Sequence, residues 1–70
     1  IPAKYKYLAG IAAAAVLNSD MCTKMWVKNA QRVGATKDEI VEAILVARFM
    51  KQATVNDTVT STLDYLTNNN

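Results

Sequence analysis

At the centre of the chain the sequence reads Gly34-Ala35-Thr36-Lys37-Asp38-Glu39, a pattern typical of one helix ending and another beginning. Gly34 readily adopts the left-handed backbone conformation that commonly terminates a helix. Thr36, followed three residues later by Glu39, matches the capping box, in which each side chain binds the backbone N–H of the other. We therefore predict a tight helix–turn–helix at the centre of the molecule.

The N-terminal side of this centre predicts a first helix over residues 3–17. The segment is rich in Ala, Leu, Ile and Val, and Pro2 occupies a position where the first turn tolerates proline. From Leu8 onward nearly every face of this helix is apolar, which is typical of a helix buried all round.

A second, amphipathic helix is predicted from the polar stretch 18–20, where Ser19 is a good N-cap, to Val33. Apolar residues recur at helical spacing: Cys22, Met25, Trp26, Ala30 and Val33. The opposite face carries cations at four-residue steps: Lys24, Lys28 and Arg32. Asp20 precedes Lys24 by four residues, which predicts a weak surface ion pair.

The C-terminal side predicts two more helices. A third helix is expected over about 37–52, with apolar residues around most of its circumference. A fourth is expected over 54–66, because Val55, Val59, Leu63 and Leu66 recur at helical spacing despite many β-branched neighbours. Residues 67–70 are polar and are expected to form a flexible tail. The predicted architecture is a single all-α domain, 1–70, of about four helices.

Size and composition indicate that this domain works as a homo-oligomer. The chain has 70 residues, 51% of them hydrophobic, and domains this small usually need a disulfide, a metal or a partner chain for stability. Cys22 is the single cysteine, so no disulfide can form within the chain. Without histidine the usual zinc and iron ligand sets are missing too, so no metal and no cofactor are expected. A second copy of the chain is the remaining means of stabilisation.

Charge is distributed unevenly along the chain. Residues 1–34 hold five basic and one acidic side chain, whereas residues 35–70 hold three basic and five acidic ones. This asymmetry can bias how helices or subunits pair. The cationic stripe of the second helix lacks interleaved aromatic residues, so it is a weak footprint for nucleic acid, and we expect no nucleic-acid partner.

No membrane association is expected, and the lone cysteine fits a reducing compartment, which predicts a cytoplasmic protein. The apolar run 8–17 is shorter than the roughly 20 residues that a membrane-spanning helix needs. No small-residue cleavage site of a secretory signal follows this run. Because the sequence begins at Ile1 rather than Met, its completeness at the N-terminus is left open.

Cys22 is the residue whose position suggests chemistry, and two interpretations are open. If Ser19 is the N-cap, Cys22 is the third residue of a helix, where free backbone N–H groups favour a thiolate and hence a nucleophile. Alternatively, Cys22 is a small hydrophobic residue packed beside Met25 and Trp26. The same two residues could line a pocket for a small molecule, although apolar residues at this spacing are more often core.

Three stretches together resemble the carboxymuconolactone decarboxylase and alkylhydroperoxidase D-like family over roughly residues 4–50. They are Lys4-Tyr5-Lys6-Tyr7-Leu8, the cysteine at the start of the next helix, and Gly-Ala-Thr-Lys-Asp-Glu-Ile-Val-Glu-Ala at 34–43. The resemblance implies an all-helical subunit assembled into trimers or hexamers. In the redox members it also implies a Cys-x-x-Cys followed four residues later by His, with a Glu on the preceding helix as proton relay. Those members look like peroxide reductases that cycle through a disulfide.

This sequence departs from that pattern at three of four positions. Ser19 stands at the first cysteine position, Trp26 at the histidine position and Tyr7 at the glutamate position, while Cys22 matches the second cysteine. The resemblance therefore implies at most a peroxide reductase that uses Cys22 and an external thiol. The alternative is a catalytically degenerate oligomer with a binding or scaffolding role, whose pocket would involve Met25, Trp26, Tyr7 and Ser19. Lactone decarboxylation is the third alternative.

Overall fold

The computed structural model describes residues 1–68, and these fold into three α-helices. They are α1 (Ala3–Val16), α2 (Asp20–Arg32) and α3 (Lys37–Asn68). The all-α prediction is confirmed, and the first two helices lie within a residue of their predicted bounds at most ends. The molecule is elongated, with extents of 55 × 20 × 20 Å.

The predicted fourth helix is wrong, because α3 continues without interruption through the segment where a break was expected. No Gly or Pro lies in residues 37–68 to end the helix. The threonines also accommodate the helix, since their hydroxyls donate to carbonyls of the preceding turn: Thr54 to Lys51, Thr58 to Thr54 and Thr60 to Asn56. β-Branched residues lower helix propensity by only tenths of a kcal/mol each, roughly, so they do not terminate it.

The C-terminal end of α3 includes part of the segment predicted as a tail. Thr67 and Asn68 belong to the helix. The other two residues of that predicted tail, 69 and 70, lie outside the described residues.

Both turns are fixed by local hydrogen bonds. Ser19 caps α2, because its Oγ accepts from the backbone N–H of Cys22 at 3.3 Å. At the start of α3, Glu39 Oε1 accepts from the Thr36 N–H at 2.8 Å and Thr36 Oγ1 accepts from the Glu39 N–H at 3.1 Å. Gly34 has a φ of 93°, which suits glycine because a side chain would strain that conformation.

The core lies where the three helices meet. Ile11 of α1 is fully buried and packs with Ala30 of α2 and Ile40 of α3. Helix α1 contacts both of the others extensively, whereas α2 and α3 scarcely touch. Only small side chains, Ala14 and Ala47, complete the buried set among the described residues. The core of one subunit is therefore thin.

Helices α1 and α3 run parallel and differ greatly in length. An ion pair joins Lys4 near the start of α1 to Glu39 near the start of α3, with Nζ and Oε2 3.0 Å apart. Ala15 near the end of α1 lines a cleft with Lys51 of α3. At about 1.5 Å per residue, α1 spans about 21 Å and α3 about 48 Å. We call residues 53–68 the α3 arm, since they project past the end of α1.

Many large apolar side chains remain exposed on a single subunit. Ala9 and Ala13 of α1 are exposed, as is Leu17 (77%) directly after its end, so the prediction that this helix is buried all round is wrong for the single chain. On α3, Phe49 is 67% and Val55 59% exposed. The thin core and the exposed apolar residues together leave the single chain with much uncovered apolar surface.

The Lys4–Glu39 ion pair makes the stability of the subunit depend on pH. The pKa of the Glu39 carboxyl is lowered from 4.5, first by the Thr36 N–H and then by Lys4, and the pKa of Lys4 is raised above 10.5 mainly by its hydrogen bond to Glu39. A lowered carboxyl pKa gives stabilisation that is present above the unfolded-state value and is lost as the pH falls through the folded-state value. The raised lysine pKa gives stabilisation that is lost only as the pH rises above 10.5.

We therefore predict that Glu39→Gln reduces the loss of stability between neutral pH and about pH 3. The variant should be less stable than the wild type at neutral pH, and the difference should shrink in acid. Urea unfolding followed by circular dichroism at both pH values measures this. Asp57→Asn on the α3 arm is the matched control, since Asp57 is exposed and forms no ion pair among the described residues. An equal pH dependence in the two variants would contradict the prediction.

Candidate functional site

Cys22 lies at the N-terminal end of α2 with its side chain exposed. It is the third residue of the helix, and its backbone N–H is the one that Ser19 caps. The next residue, Thr23, donates its hydroxyl to the Ser19 carbonyl oxygen at 2.6 Å, which closes the same turn. The turn therefore holds the Cys22 backbone firmly while the thiol faces solvent in the single subunit.

The remaining predicted site residues on α2 point to different surroundings. Trp26 is half-buried against α1, whereas Met25 is 48% exposed on the outer side of the helix. Ala30, Val27 and Thr23 share the side of Trp26, so the inward face of α2 is offset from the predicted apolar stripe. In the single chain Cys22 is exposed and lies off the buried face of α2, so it is not packed there as a small hydrophobic residue.

Tyr7 and Trp26 are brought together as an aromatic pair. Their ring centroids are 5.6 Å apart and the rings are tilted by 43°. Such pairs contribute about 0.5–1.5 kcal/mol beyond the area that they bury. Both residues stand where the resemblance implies a proton relay, and here they pack α1 against α2 instead.

Gly10 of α1 provides the space for this indole ring. A Cβ built at Gly10 would lie 2.5 Å from Trp26 Cδ2 and 2.7 Å from Cε2, well inside van der Waals contact. The close approach of α1 and α2 therefore requires glycine at this position. Sequence reasoning gave Gly10 no role, because the signal is a contact between two helices rather than a local pattern.

Two adjoining clefts form one continuous groove between α1 and α3, which we call the α1–α3 groove. The first part, about 410 Å³, is lined by Tyr5, Leu8, Ala9, Ala12, Glu39, Glu42, Ala43 and Val46. The second part, about 380 Å³, shares Ala12 and Val46 with the first and is otherwise lined by Ala13, Val16, Leu17, Ala47 and Met50. The groove is thus apolar along its floor and acidic at one end. Sequence reasoning did not find this groove, because its lining residues come from two helices that are far apart in the sequence, within 5–17 and 39–50.

A second exposed feature is the outer side of α2, which we call the basic face. It carries Met21, Lys24, Met25, Lys28, Asn29 and Arg32 around a shallow cleft. The predicted pair of Asp20 with Lys24 is confirmed, with Oδ2 and Nζ 3.2 Å apart. Ser19 lines another shallow cleft with Ala15, Asn18, Asp20 and Thr23. Tyr7 and Trp26 lie apart from these surfaces, on the inward side of α2.

Within residues 1–68 no three Cys, Asp or Glu side chains come close enough to hold a metal ion. Over the same residues, no helix is long and apolar enough to cross a membrane. Two of the carboxylates form ion pairs instead: Asp20 pairs with Lys24, and Glu39 pairs with Lys4.

Gly10→Ala tests the fit between α1 and α2. Overpacking a well-filled contact costs about 1–3 kcal/mol, which exceeds the roughly 1 kcal/mol that alanine gains over glycine inside a helix. We expect a lower free energy of unfolding, measured by urea titration. In a Trp26→Leu background, where the indole is gone, the same change should be neutral or stabilising. A more stable Gly10→Ala variant in the wild-type background would show that the ring yields easily.

The comparison with protein families is consistent with these observations. The sequence profile of the Carboxymuconolactone decarboxylase family matches residues 1–59, and so it covers α1, α2 and much of α3. Neither the curated proteins nor the solved structures gave a significant match. Since the profile covers most of the chain, this protein belongs to the Carboxymuconolactone decarboxylase family.

Proposed function

We propose that this protein is a homo-oligomeric member of the family that reduces peroxides with the thiol of Cys22 and an external thiol. The observation that carries the proposal is the exposed Cys22 thiol in the first turn of α2, directly after a capped N-terminus. Anionic groups are stabilised at helix N-termini, and a thiolate is the nucleophile in thiol chemistry. The exposure of the thiol also leaves room for a peroxide and for a reducing thiol.

The proposed reaction has three steps. The Cys22 thiolate attacks one peroxide oxygen, so that an S–O bond forms, the O–O bond breaks and the released alkoxide takes a proton to become an alcohol or water. Cys22 is then a sulfenic acid, its sulfur oxidised and the peroxide reduced. An external thiol attacks this sulfur, which releases water and leaves a mixed disulfide. A second external thiol attacks the disulfide, regenerating Cys22 and releasing the oxidised external disulfide.

Water supplies the proton for the departing alkoxide in this proposal. Trp26 offers only an N–H donor and Tyr7 packs against it, so neither residue acts as the relay that the family resemblance implies. Since the thiol is exposed, solvent reaches the reacting oxygen directly. A slower reaction than that of a relay-equipped enzyme is expected for this reason.

The homo-oligomer is supported by the apolar surface of a single subunit. Met21 is 81% exposed and Phe49 67%, while the described core consists of Ile11, Ile40 and three alanines. Apolar side chains exposed in this way mark surfaces that are covered by protein–protein contact. The resemblance points to trimers or hexamers.

A catalytically degenerate scaffold or binding oligomer is the second candidate. The observation that favours it is the Tyr7–Trp26 pair, which turns two positions of the implied relay into packing residues. In this case the α1–α3 groove, rather than a pocket at Met25 and Trp26, would be the binding surface. Lactone decarboxylation stands third, because it needs proton-transfer groups, and the carboxylate nearest to Cys22 in the sequence, Asp20, is paired with Lys24.

Cys22→Ser decides between the first two candidates. The variant should consume hydrogen peroxide, in the presence of excess dithiothreitol, no faster than buffer, because serine cannot cycle through a sulfenic acid. Thr23→Ser, which keeps a hydroxyl at the neighbouring position, is the matched control and should retain the wild-type rate. Peroxide consumption that is equal in the wild type and Cys22→Ser would exclude the thiol mechanism and leave the scaffold.

The oligomer is tested separately by sedimentation velocity of the wild type. We expect a mass equal to that of two or more chains at micromolar concentration. The Cys22→Ser variant should give the same mass, since the proposed assembly depends on exposed apolar side chains and not on the thiol. A wild-type mass equal to one chain would contradict the homo-oligomer.

A further inference from the structure

We propose that the basic face of α2 in one copy docks into the α1–α3 groove of a second copy. This inference rests on the homo-oligomer of the proposed function and is independent of the chemistry of Cys22. It assigns the two faces that meet, which neither the exposed apolar surface nor the family match specifies.

The groove has the shape to receive a helix. Ala9 and Ala13 are exposed on the side of α1 that lines it, four residues apart, and their small side chains permit close approach of another helix. Val46 of α3 lines the groove along both of its parts. An apolar floor of this kind needs apolar side chains from its occupant.

The basic face of α2 offers such side chains at a matching interval. Met21 is 81% exposed and Met25 48%, and the two are four residues apart on one side of α2. Methionine is flexible and adapts to irregular apolar surfaces. Two methionines spaced like Ala9 and Ala13 can therefore fill the groove over one helical turn.

Charge complementarity selects this pairing. Lys28 and Arg32 on the basic face form no ion pair among residues 1–68. Asp38 and Glu42, near the start of α3, likewise form no ion pair among these residues. Of the two, Glu42 lines the groove. Each pair is spaced by four residues on its helix, so the two cations and the two carboxylates can face each other. Opposite charges arranged in this way favour the correct contact and penalise others.

The other long apolar surface of this chain suits the groove less well. The α3 arm exposes Val55 and Leu63, but no lysine or arginine follows Lys51 in the sequence. The arm instead carries Asp57 and Asp64, which would face Glu42 with like charge. The basic face, unlike the arm, combines exposed methionines with unpaired cations.

The proposed contact is head-to-tail, because it joins two different surfaces of the same chain. Contacts of this kind close into rings when the rotation between copies permits. The charges of such a contact can also be exchanged. If the cation is replaced by a carboxylate and the facing carboxylate by a cation in every copy, the attraction is restored. This property gives a decisive experiment.

The experiment compares Lys28→Glu, Glu42→Lys and the double variant by sedimentation velocity over a range of concentrations. Each single variant places like charges together and should raise the dissociation constant of the oligomer at least about tenfold. The double variant should restore assembly, and added salt should weaken the wild-type oligomer. Lys51→Glu and Asp57→Lys are the matched controls, with the same charge changes away from both surfaces. Circular dichroism establishes that every variant keeps its helices.

A covalent test covers the case in which a charge variant unfolds. In a Cys22→Ser background, Met21→Cys combined with Ala13→Cys should give disulfide-linked dimers and larger species on mild oxidation. Met21→Cys combined with Asn56→Cys, on the arm, should give far less. Equal cross-linking in the two combinations would overturn the proposed contact.

Three results overturn the inference, and they separate it from the proposed function. If the wild type is oligomeric but both single charge variants assemble like it, the faces are wrong and the oligomer stands. If the single variants dissociate but the double variant does not recover, the two residues do not face each other. If the wild type is a single chain, both the contact and the oligomer fail, while peroxide consumption still reports on Cys22.

Discussion

The fold of the subunit depends on the packing of Ile11, at the point where all three helices meet. This side chain is fully buried between Ala30 and Ile40, and α2 and α3 scarcely touch each other except through α1. Removing most of a buried isoleucine typically costs about 2–5 kcal/mol, and here the loss would loosen both neighbouring helices. A core this small holds the helices in place without covering their outer faces.

The features that could be predicted from the sequence are those encoded within one turn of helix. Ser19 and the pair of Thr36 with Glu39 were identifiable because a cap needs only residues three positions apart. The prediction of two separate helices over 37–52 and 54–66 is wrong because no glycine or proline divides them. In the structure hydroxyls such as that of Thr58 bind carbonyls one turn back, and the helix continues.

The candidate site was predictable in position but not in surroundings. The placement of Cys22 at a helix start follows from the local cap, whereas its exposure depends on which side of α2 faces α1. That orientation is set by the indole of Trp26 against Gly10, a contact between helices that no local pattern announces. The α1–α3 groove likewise requires the two helices to lie side by side and parallel, as the Lys4–Glu39 contact between their N-terminal ends shows, and spacing along the chain does not specify this arrangement.

In the proposed homo-oligomer, the overhang of α3 beyond α1 links helix formation to association. On a single chain the arm has no neighbouring helix in the described fold, and in proteins most helical stability comes from tertiary packing rather than from intrinsic propensity. In that proposed assembly, a surface that covers the exposed Val55 and Leu63 stabilises the backbone of the arm as well as binding it. The helical content of the protein should consequently vary with its concentration, so that dilution melts the arm before it unfolds the subunit.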